Sequence, residues 1–275
     1  MKRAKLQVTV VLLVGFAAGC GSGGDGEPPF EVSSVVVSHE TTRDISVWAP
    51  DSDGSWPVVY ALHGTGGNRQ DLAETASALA RQGVVVFVAD YRSAEIEHWA
   101  QDAECGYRYA RSIADEYGGD LDRPVTSVGY SLGATLVLGG SLNDAAFGPG
   151  GTYQECFSGA PRADVTVAVA GCHYEYEGQV FDFDPNTPLW TNHETDLVLV
   201  AGDNDDLCAA WQSNDAAAAL QSAGYEVNLL EIADANHFTL IFHDLVNDEW
   251  VTLPNEPAGK ETVQAILDAI AAAEQ

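Results

Sequence analysis

The sequence predicts one domain of the α/β class, in which a mostly parallel sheet is covered by helices on both faces. The chain has 275 residues, of which 46% are hydrophobic, and this is enough for a sizeable single core. From residue 58 onward, apolar β-branched runs are nearly continuous, as in strands that are buried on both faces of a parallel sheet. Segments with helical periodicity separate these runs, and such alternation is typical of the class.

Eight runs are predicted to be strands, and the first two are expected to pair as an antiparallel hairpin. The helical segments repeat apolar residues every three or four positions, as Leu72, Ala76 and Leu79 do in the first of them. No internal repeat is visible, so residues 31–275 are expected to form a single domain. The predicted strands are 32–38, 44–49, 58–62, 84–89, 126–129, 165–170, 197–201 and 227–232. The predicted helices are 70–82, 96–117, 132–142, 209–223 and 262–273.

Residues 1–19 have the parts of a secretory signal peptide. Three basic residues precede an apolar run at 8–18, which is too short to span a bilayer at roughly 20 residues. Small residues then lead into Cys20, which resembles a bacterial lipobox, although Ala17 stands where leucine is commoner. We expect export, with a lipid on Cys20 that anchors the chain at the outer face of a cell-envelope membrane, and a flexible Gly/Ser-rich tether over 20–30. Plain secretion is the alternative.

The chain is strongly acidic. It holds 41 Asp and Glu residues against 12 Lys and Arg, which gives a formal net charge of −29. A surface of this charge repels nucleic acid and anionic membranes, so neither is an expected partner. We expect a small-molecule substrate, and contact with a membrane only through the lipid on Cys20.

Four cysteines remain in addition to Cys20. Export makes disulfides permissible, and an even number is consistent with two bridges in any of three pairings. Four buried free thiols are the alternative. These residues are Cys105, Cys156, Cys172 and Cys208.

The stretch VGYSLGATLVLGG places Ser131 where a predicted strand meets a predicted helix. Gly129 and Gly133 remove side chains that would clash across a sharp turn, and the N-terminus of the helix directs partial positive charge toward the serine. A small polar residue in a glycine-rich junction is the plainer interpretation. In this position, Gly-Tyr-Ser-Leu-Gly resembles the nucleophile elbow of the α/β-hydrolases.

The resemblance implies a chain order of nucleophile, acid and histidine. His237 lies just past the last predicted strand, where a loop can bring it to Ser131, whereas His243 is expected to be helical already. The acid in related hydrolases lies three residues past the strand-end glycine. This implies Asp205, with Asp203 as the alternative.

The same resemblance places the oxyanion hole in the stretch LHGTGGN and at the residue after the nucleophile. The implied donors are the N–H groups of Thr65 and Leu132, with Gly66 as a substitute for Thr65. His63 is expected to pack under this loop. A phosphate-binding loop is the alternative, but neither glycine-rich phosphate pattern is present.

The resemblance covers residues 32–273 and is strongest to small secreted or lipoprotein carboxylesterases. It implies ester hydrolysis through an acyl-enzyme on Ser131, with no metal and no organic cofactor. The chain departs from the pattern in two places: the oxyanion stretch is not H-G-G-G, and Cys208 stands where a proline often follows the acid. A peptidase or amidase, or a surface lipoprotein without turnover, are the alternatives.

Two further expectations follow from that fold. The strands before Cys172 and Cys208 are parallel neighbours in it, which implies a Cys172–Cys208 bridge and leaves Cys105 with Cys156. The interval 171–196 is short and has little helical periodicity, so no large lid is expected. Its aromatic residues either line a cleft for short, medium-chain or aromatic esters or pack the loop onto the sheet. The expected substrate-binding residues are Tyr130, Tyr174, Trp190 and Phe238.

Overall fold

The computed structural model describes most of the predicted domain. The predicted signal peptide 1–19, the lipidation residue Cys20, the tether up to residue 29 and Cys156 lie outside the described residues. The described residues are 30–39, 42–93, 95, 98–143, 160–176, 179–180, 183–187, 190–247 and 249–275.

Eight strands form one central sheet, and two small hairpins lie beside it. The strands are β1 (Val32–Val37), β2 (Ile45–Pro50), β3 (Val58–Leu62), β4 (Val85–Ala89), β5 (Val125–Tyr130), β6 (Val165–Val169), β7 (Glu175–Tyr176), β8 (Gln179–Val180), β9 (Asp196–Gly202), β10 (Val227–Ile232), β11 (His243–Val246) and β12 (Glu249–Thr252). The sheet order is β1-β2-β4-β3-β5-β6-β9-β10. β2 pairs antiparallel with both β1 and β4, and the other pairs in this sheet are parallel. The predicted mostly parallel eight-stranded sheet is confirmed.

Helices cover both faces of this sheet. The helices are α1 (Ala73–Ala80), α2 (Trp99–Ile113), α3 (Leu132–Leu142), α4 (Ala210–Ser222) and α5 (Pro257–Ala273). Side chains alternate along each strand, so Val59 and Ala61 pack with α1 and α5, whereas Tyr60 and Leu62 pack with α2 and α3. Helix α4 packs on the second face, over β6 and β9.

Six strands that pair in parallel, β4, β3, β5, β6, β9 and β10, end at the same edge of the sheet. In open α/β sheets, ligands bind outside this carboxyl edge. The loops that follow β3, β5, β9 and β10 carry the oxyanion stretch, Ser131, Asp205 and His237, respectively. Among the described residues, no helix is long and apolar enough to cross a membrane.

One local expectation is wrong. His243 is not helical: it opens β11, which pairs antiparallel with β12 in register Val246 to Glu249. The turn between these strands begins at Asn247, whose φ is 54°, a left-handed conformation that asparagine adopts more readily than most residues. In the described part of 171–195, before β9 begins, the regular structure consists of the two-residue strands β7 and β8, without an α-helix.

Candidate active site

The backbone at Ser131 is strained. Its φ is 57° and its ψ is −121°, a combination that non-glycine residues rarely adopt, and it joins the end of β5 directly to α3. A Cβ on Gly129 would meet the backbone of Gly133, and a Cβ on Gly133 would meet the carbonyl oxygens of Leu62 and His63. Both glycines are therefore needed for the turn to close and for α3 to approach β3.

Asp205 and His237 form a buried pair. Their side chains are joined by a 2.7 Å contact from Nδ1 of His237 to Oδ2 of Asp205, and the two residues are 4% and 5% exposed, respectively. The other carboxylate oxygen accepts hydrogen bonds from the backbone N–H groups of Leu207 and Cys208, at 2.9 and 2.8 Å. These bonds fix the carboxylate. The alternative acid, Asp203, is exposed.

The loops that carry this pair are packed together. A Cβ on Gly202 would meet the carbonyl group of Ala235, and the N–H of Asn204 donates to that carbonyl at 3.0 Å. Tyr130, the residue before the nucleophile, places its ring 4.9 Å from the imidazole of His237. Tyr130 is buried in the core shared with α1 and α5. It therefore packs against the imidazole from the core side and does not line an open cleft.

The hydroxyl of Ser131 faces a sulphur atom. Its Oγ lies 3.9 Å from Sγ of Cys208, and Ser131 is 4% exposed. Among the described residues, no hydrogen bond joins Ser131 to His237. The structure thus assembles Ser131, Asp205 and His237 at one edge, with the serine side chain turned toward Cys208.

The loop after β3 approaches the nucleophile closely. A Cβ on Gly64 would lie 2.9 Å from Cβ of Ser131 and 3.3 Å from its Oγ. The N–H of Gly66 donates to Oγ of Ser93 at 3.0 Å. The N–H groups of Thr65 and Leu132 make no hydrogen bond within the described residues, so of the three proposed donors these two are available to a ligand.

The segment after β4 supports that loop. The hydroxyl of Tyr91 donates to the carbonyl of His63 at 2.9 Å, and the two rings stack at 4.4 Å. Burial lowers the pKa of His63, which favours a neutral imidazole and a packing role. The guanidinium group and the N–H of Arg69 both bond to Asp90, which ties the far end of the loop to β4. Ser93 and Asp90 were not singled out from the sequence.

The three cysteines that the structure describes are all disulfide-bonded. Cys172 is joined to Cys208, and both are buried. Cys105 is also in a disulfide, and its expected partner, Cys156, lies outside the described residues. Across the same described ranges, no three His, Cys, Asp or Glu side chains are grouped so as to hold a metal ion.

Two of the expected substrate-binding aromatics pack onto the α4 side of the sheet. Tyr174 and Trp190 each contact the ring of Phe183, at 5.3 Å, and all three pack against the core under α4. Tyr174 also stacks on Trp211 at 5.8 Å. These contacts favour the alternative in which the aromatics hold the loop on the sheet.

Phe238 lies beside the histidine. Its ring meets that of His237 edge-on at 5.4 Å and that of Trp250 at 5.0 Å. Trp250 comes from β12, also contacts His243, and is 41% exposed. Trp250 is not predictable from the sequence, because its position depends on the pairing of β12 with β11, which begins at His243, a residue expected to be helical.

Comparisons with known proteins identify the fold. No protein family matches the sequence, and no curated protein matches it either. Solved structures do match: esterase B from Lactobacillus rhamnosis has a TM-score of 0.68 at 16% identity, over 91% of this chain and 88% of that one. A truncated carbohydrate esterase from gut microbiota has a TM-score of 0.64 at 15% identity, over 92% and 99%. This chain has the α/β-hydrolase fold.

Within that fold, a third similar structure holds a bound ligand. It is the thermophilic esterase Est2 from the planctomycete Thermogutta terrifontis, bound to butyrate, with a TM-score of 0.62 at 15% identity over 83% of this chain and 88% of that one. At these identities the likeness establishes the α/β-hydrolase fold, and the activity has to be argued from the site.

Proposed function

We propose that the protein is a serine carboxylic ester hydrolase that works through an acyl-enzyme on Ser131. The observation that carries this proposal is the buried 2.7 Å contact between Asp205 and His237, at the sheet edge where Ser131 occupies its strained turn. A histidine held by a carboxylate is the base that a serine hydroxyl needs in order to act as a nucleophile.

The proposed roles follow from the hydrogen bonds of the pair. Nδ1 of His237 donates to Asp205, so Nε2 is the proton acceptor for the hydroxyl of Ser131. Ser131 Oγ attacks the ester carbonyl carbon, and the N–H groups of Thr65 and Leu132 stabilise the oxyanion. His237 returns the proton to the departing alcohol. Water then attacks the acyl-enzyme by the same route and releases the acid.

The surroundings of the site support small acyl groups. Cys172 is bridged to Cys208, so the start of the interval 171–196 cannot swing away as a lid. Phe238 and the half-exposed Trp250 provide an apolar wall beside His237. Short or medium-chain and aromatic esters fit this arrangement better than long-chain triglycerides. Two of the similar structures hold butyrate or a tributyrin phosphonate, which agrees with this size.

A substrate panel with the variant Ser131→Ala tests the proposal. We expect p-nitrophenyl acetate and butyrate to be cleaved faster than palmitate, without a jump in rate at an oil–water interface, and we expect the variant to lose about 10³-fold or more. Turnover of amides in preference to esters would indicate an amidase. Absence of turnover on the whole panel would favour a surface lipoprotein without catalysis.

We also propose that the protein is exported and lipid-anchored through Cys20. Disulfide-bonded cysteines support an oxidising compartment, because bridges rarely persist in the cytosol. Metabolic labelling with an alkyne fatty acid, compared between the natural chain and Cys20→Ala, tests this. Label on the natural chain alone is expected, and equal labelling of both would exclude Cys20 as the attachment point.

A further inference from the structure

We propose that the Cys172–Cys208 disulfide is a positioning element of the active site. It holds the turn that carries Asp205 close to Ser131. This inference rests on the proposed function. It makes catalysis dependent on the redox state of one bridge, beyond any contribution of that bridge to global stability.

Cys208 contacts both the proposed nucleophile, Ser131, and the proposed acid, Asp205. Its Sγ lies 3.9 Å from Oγ of Ser131, and its N–H donates to Oδ1 of Asp205 at 2.8 Å. The other oxygen of that carboxylate bonds to His237. A displacement of Cys208 would therefore move the carboxylate and, through it, the imidazole, and it would open space beside the serine hydroxyl.

Cys172 is tied to the element that carries the serine. Its carbonyl accepts a hydrogen bond of 3.1 Å from Oγ1 of Thr135, which lies four residues after Ser131 in α3. Thus the bridge connects the turn after β9 to the helix that begins at the nucleophile. Both cysteines are 1% exposed, so the disulfide is tightly packed, and a shift of one cysteine would displace the other.

A second, non-covalent connection runs parallel to the bridge. Oε1 of Gln212, in α4, accepts the backbone N–H groups of Tyr174 and Glu175 at 2.9 and 3.0 Å. The segment after Cys172 is therefore held to α4 even without the disulfide. We expect a chain without the bridge to keep its fold while the acid turn gains freedom, and a misplacement of about 1 Å can cost roughly 10²-fold in rate.

The test is the double variant Cys172→Ala/Cys208→Ala. We expect kcat to fall about 10- to 100-fold, KM to change less than about threefold, and labelling of Ser131 by a fluorophosphonate to slow by the same factor as kcat. The control is Cys105→Ala, which removes a different disulfide, to which Cys105 of α2 contributes. Measured below its Tm, the control should keep kcat within about twofold of the natural chain.

The inference is overturned if the double variant retains kcat within twofold while circular dichroism and cooperative thermal unfolding show that it is folded. If it does not fold, the Cys105→Ala chain is treated with graded reductant, and thiols are counted in quenched aliquots. Activity should then fall in step with opening of Cys172–Cys208 and return on reoxidation, whereas full activity with the bridge open contradicts the proposal. A natural chain without esterase activity would instead refute the proposed function.

Discussion

Asp205 and His237 lie 32 residues apart in the chain, yet Oδ2 of the first and Nδ1 of the second are 2.7 Å apart and buried. In the proposed mechanism, this contact engages Nδ1 of His237 and leaves Nε2 to accept the proton of Ser131. Two backbone N–H groups hold the carboxylate from the other side. An acid held in a fixed orientation is what a catalytic histidine requires.

Replacement of Asp205 by Asn should lower kcat by roughly 10⁴-fold, because the amide stabilises the wrong tautomer of His237. The matched control is Asp203→Asn in the same turn, where the side chain is exposed. It should leave kcat within a few fold. Steady-state kinetics on p-nitrophenyl butyrate distinguishes the two, and a crippled Asp203→Asn with an active Asp205→Asn would contradict the assignment.

Gly64→Ala should lower kcat by about 10²-fold or more, since the new Cβ would lie 2.9 Å from Cβ of Ser131 and displace the oxyanion loop. Gly139→Ala, in α3, is the control, because its Cβ would meet nothing within 4 Å. That change should leave kcat unaltered and raise stability by roughly 0.5–1 kcal/mol. Full activity of Gly64→Ala would mean that the loop does not take part in catalysis.

Trp250→Ala should lower kcat/KM for phenyl and butyrate esters by roughly 2- to 10-fold, through loss of an aromatic contact worth about 0.5–1.5 kcal/mol. The expected change is mainly in KM. Trp211→Ala is the control: Trp211, in α4, has a similar exposure, but its ring contacts Tyr174 and lies on the other side of the sheet from the contact between Trp250 and Phe238. Equal losses in the two variants would show that Trp250 has no specific place in the substrate site.

Acid should destabilise the fold through His173. Burial lowers the pKa of His173 to about 4, from about 6.5 in the unfolded chain. Between pH 6.5 and pH 4, His173 binds a proton in the unfolded chain but stays neutral in the folded chain. The stabilisation is therefore complete above pH 6.5 and is lost as the pH falls toward 4, by up to about 1.4 kcal/mol per pH unit.

Denaturant unfolding between pH 7 and pH 4 measures this slope. His173→Leu should reduce this slope by up to the contribution of one bound proton, whereas His193→Gln, at an exposed histidine, should leave the slope unchanged. If His173→Leu does not fold, NMR titration of the imidazole in the natural chain gives the pKa directly. An ordinary value near 6.5 would refute this prediction.

Much of the sheet could be predicted, because strands buried on both faces must be apolar throughout and so stand out from their surroundings. The resemblance to the α/β-hydrolases implied Asp205, three residues after Gly202, and this is the carboxylate that contacts His237. Trp250 could not be predicted, because a short, half-exposed hairpin has little apolar signal and reaches Phe238 only through tertiary packing. The approach of Cys208 to Ser131 likewise depends on how neighbouring loops pack, which spacing does not encode.

The most direct test of the central claim is covalent labelling of the nucleophile. The natural chain is incubated with a fluorophosphonate, digested and mapped by mass spectrometry. One equivalent of label on Ser131, with labelling and ester turnover lost together in His237→Ala, is the predicted result. Turnover of esters without label on Ser131, or label at another serine, would contradict it.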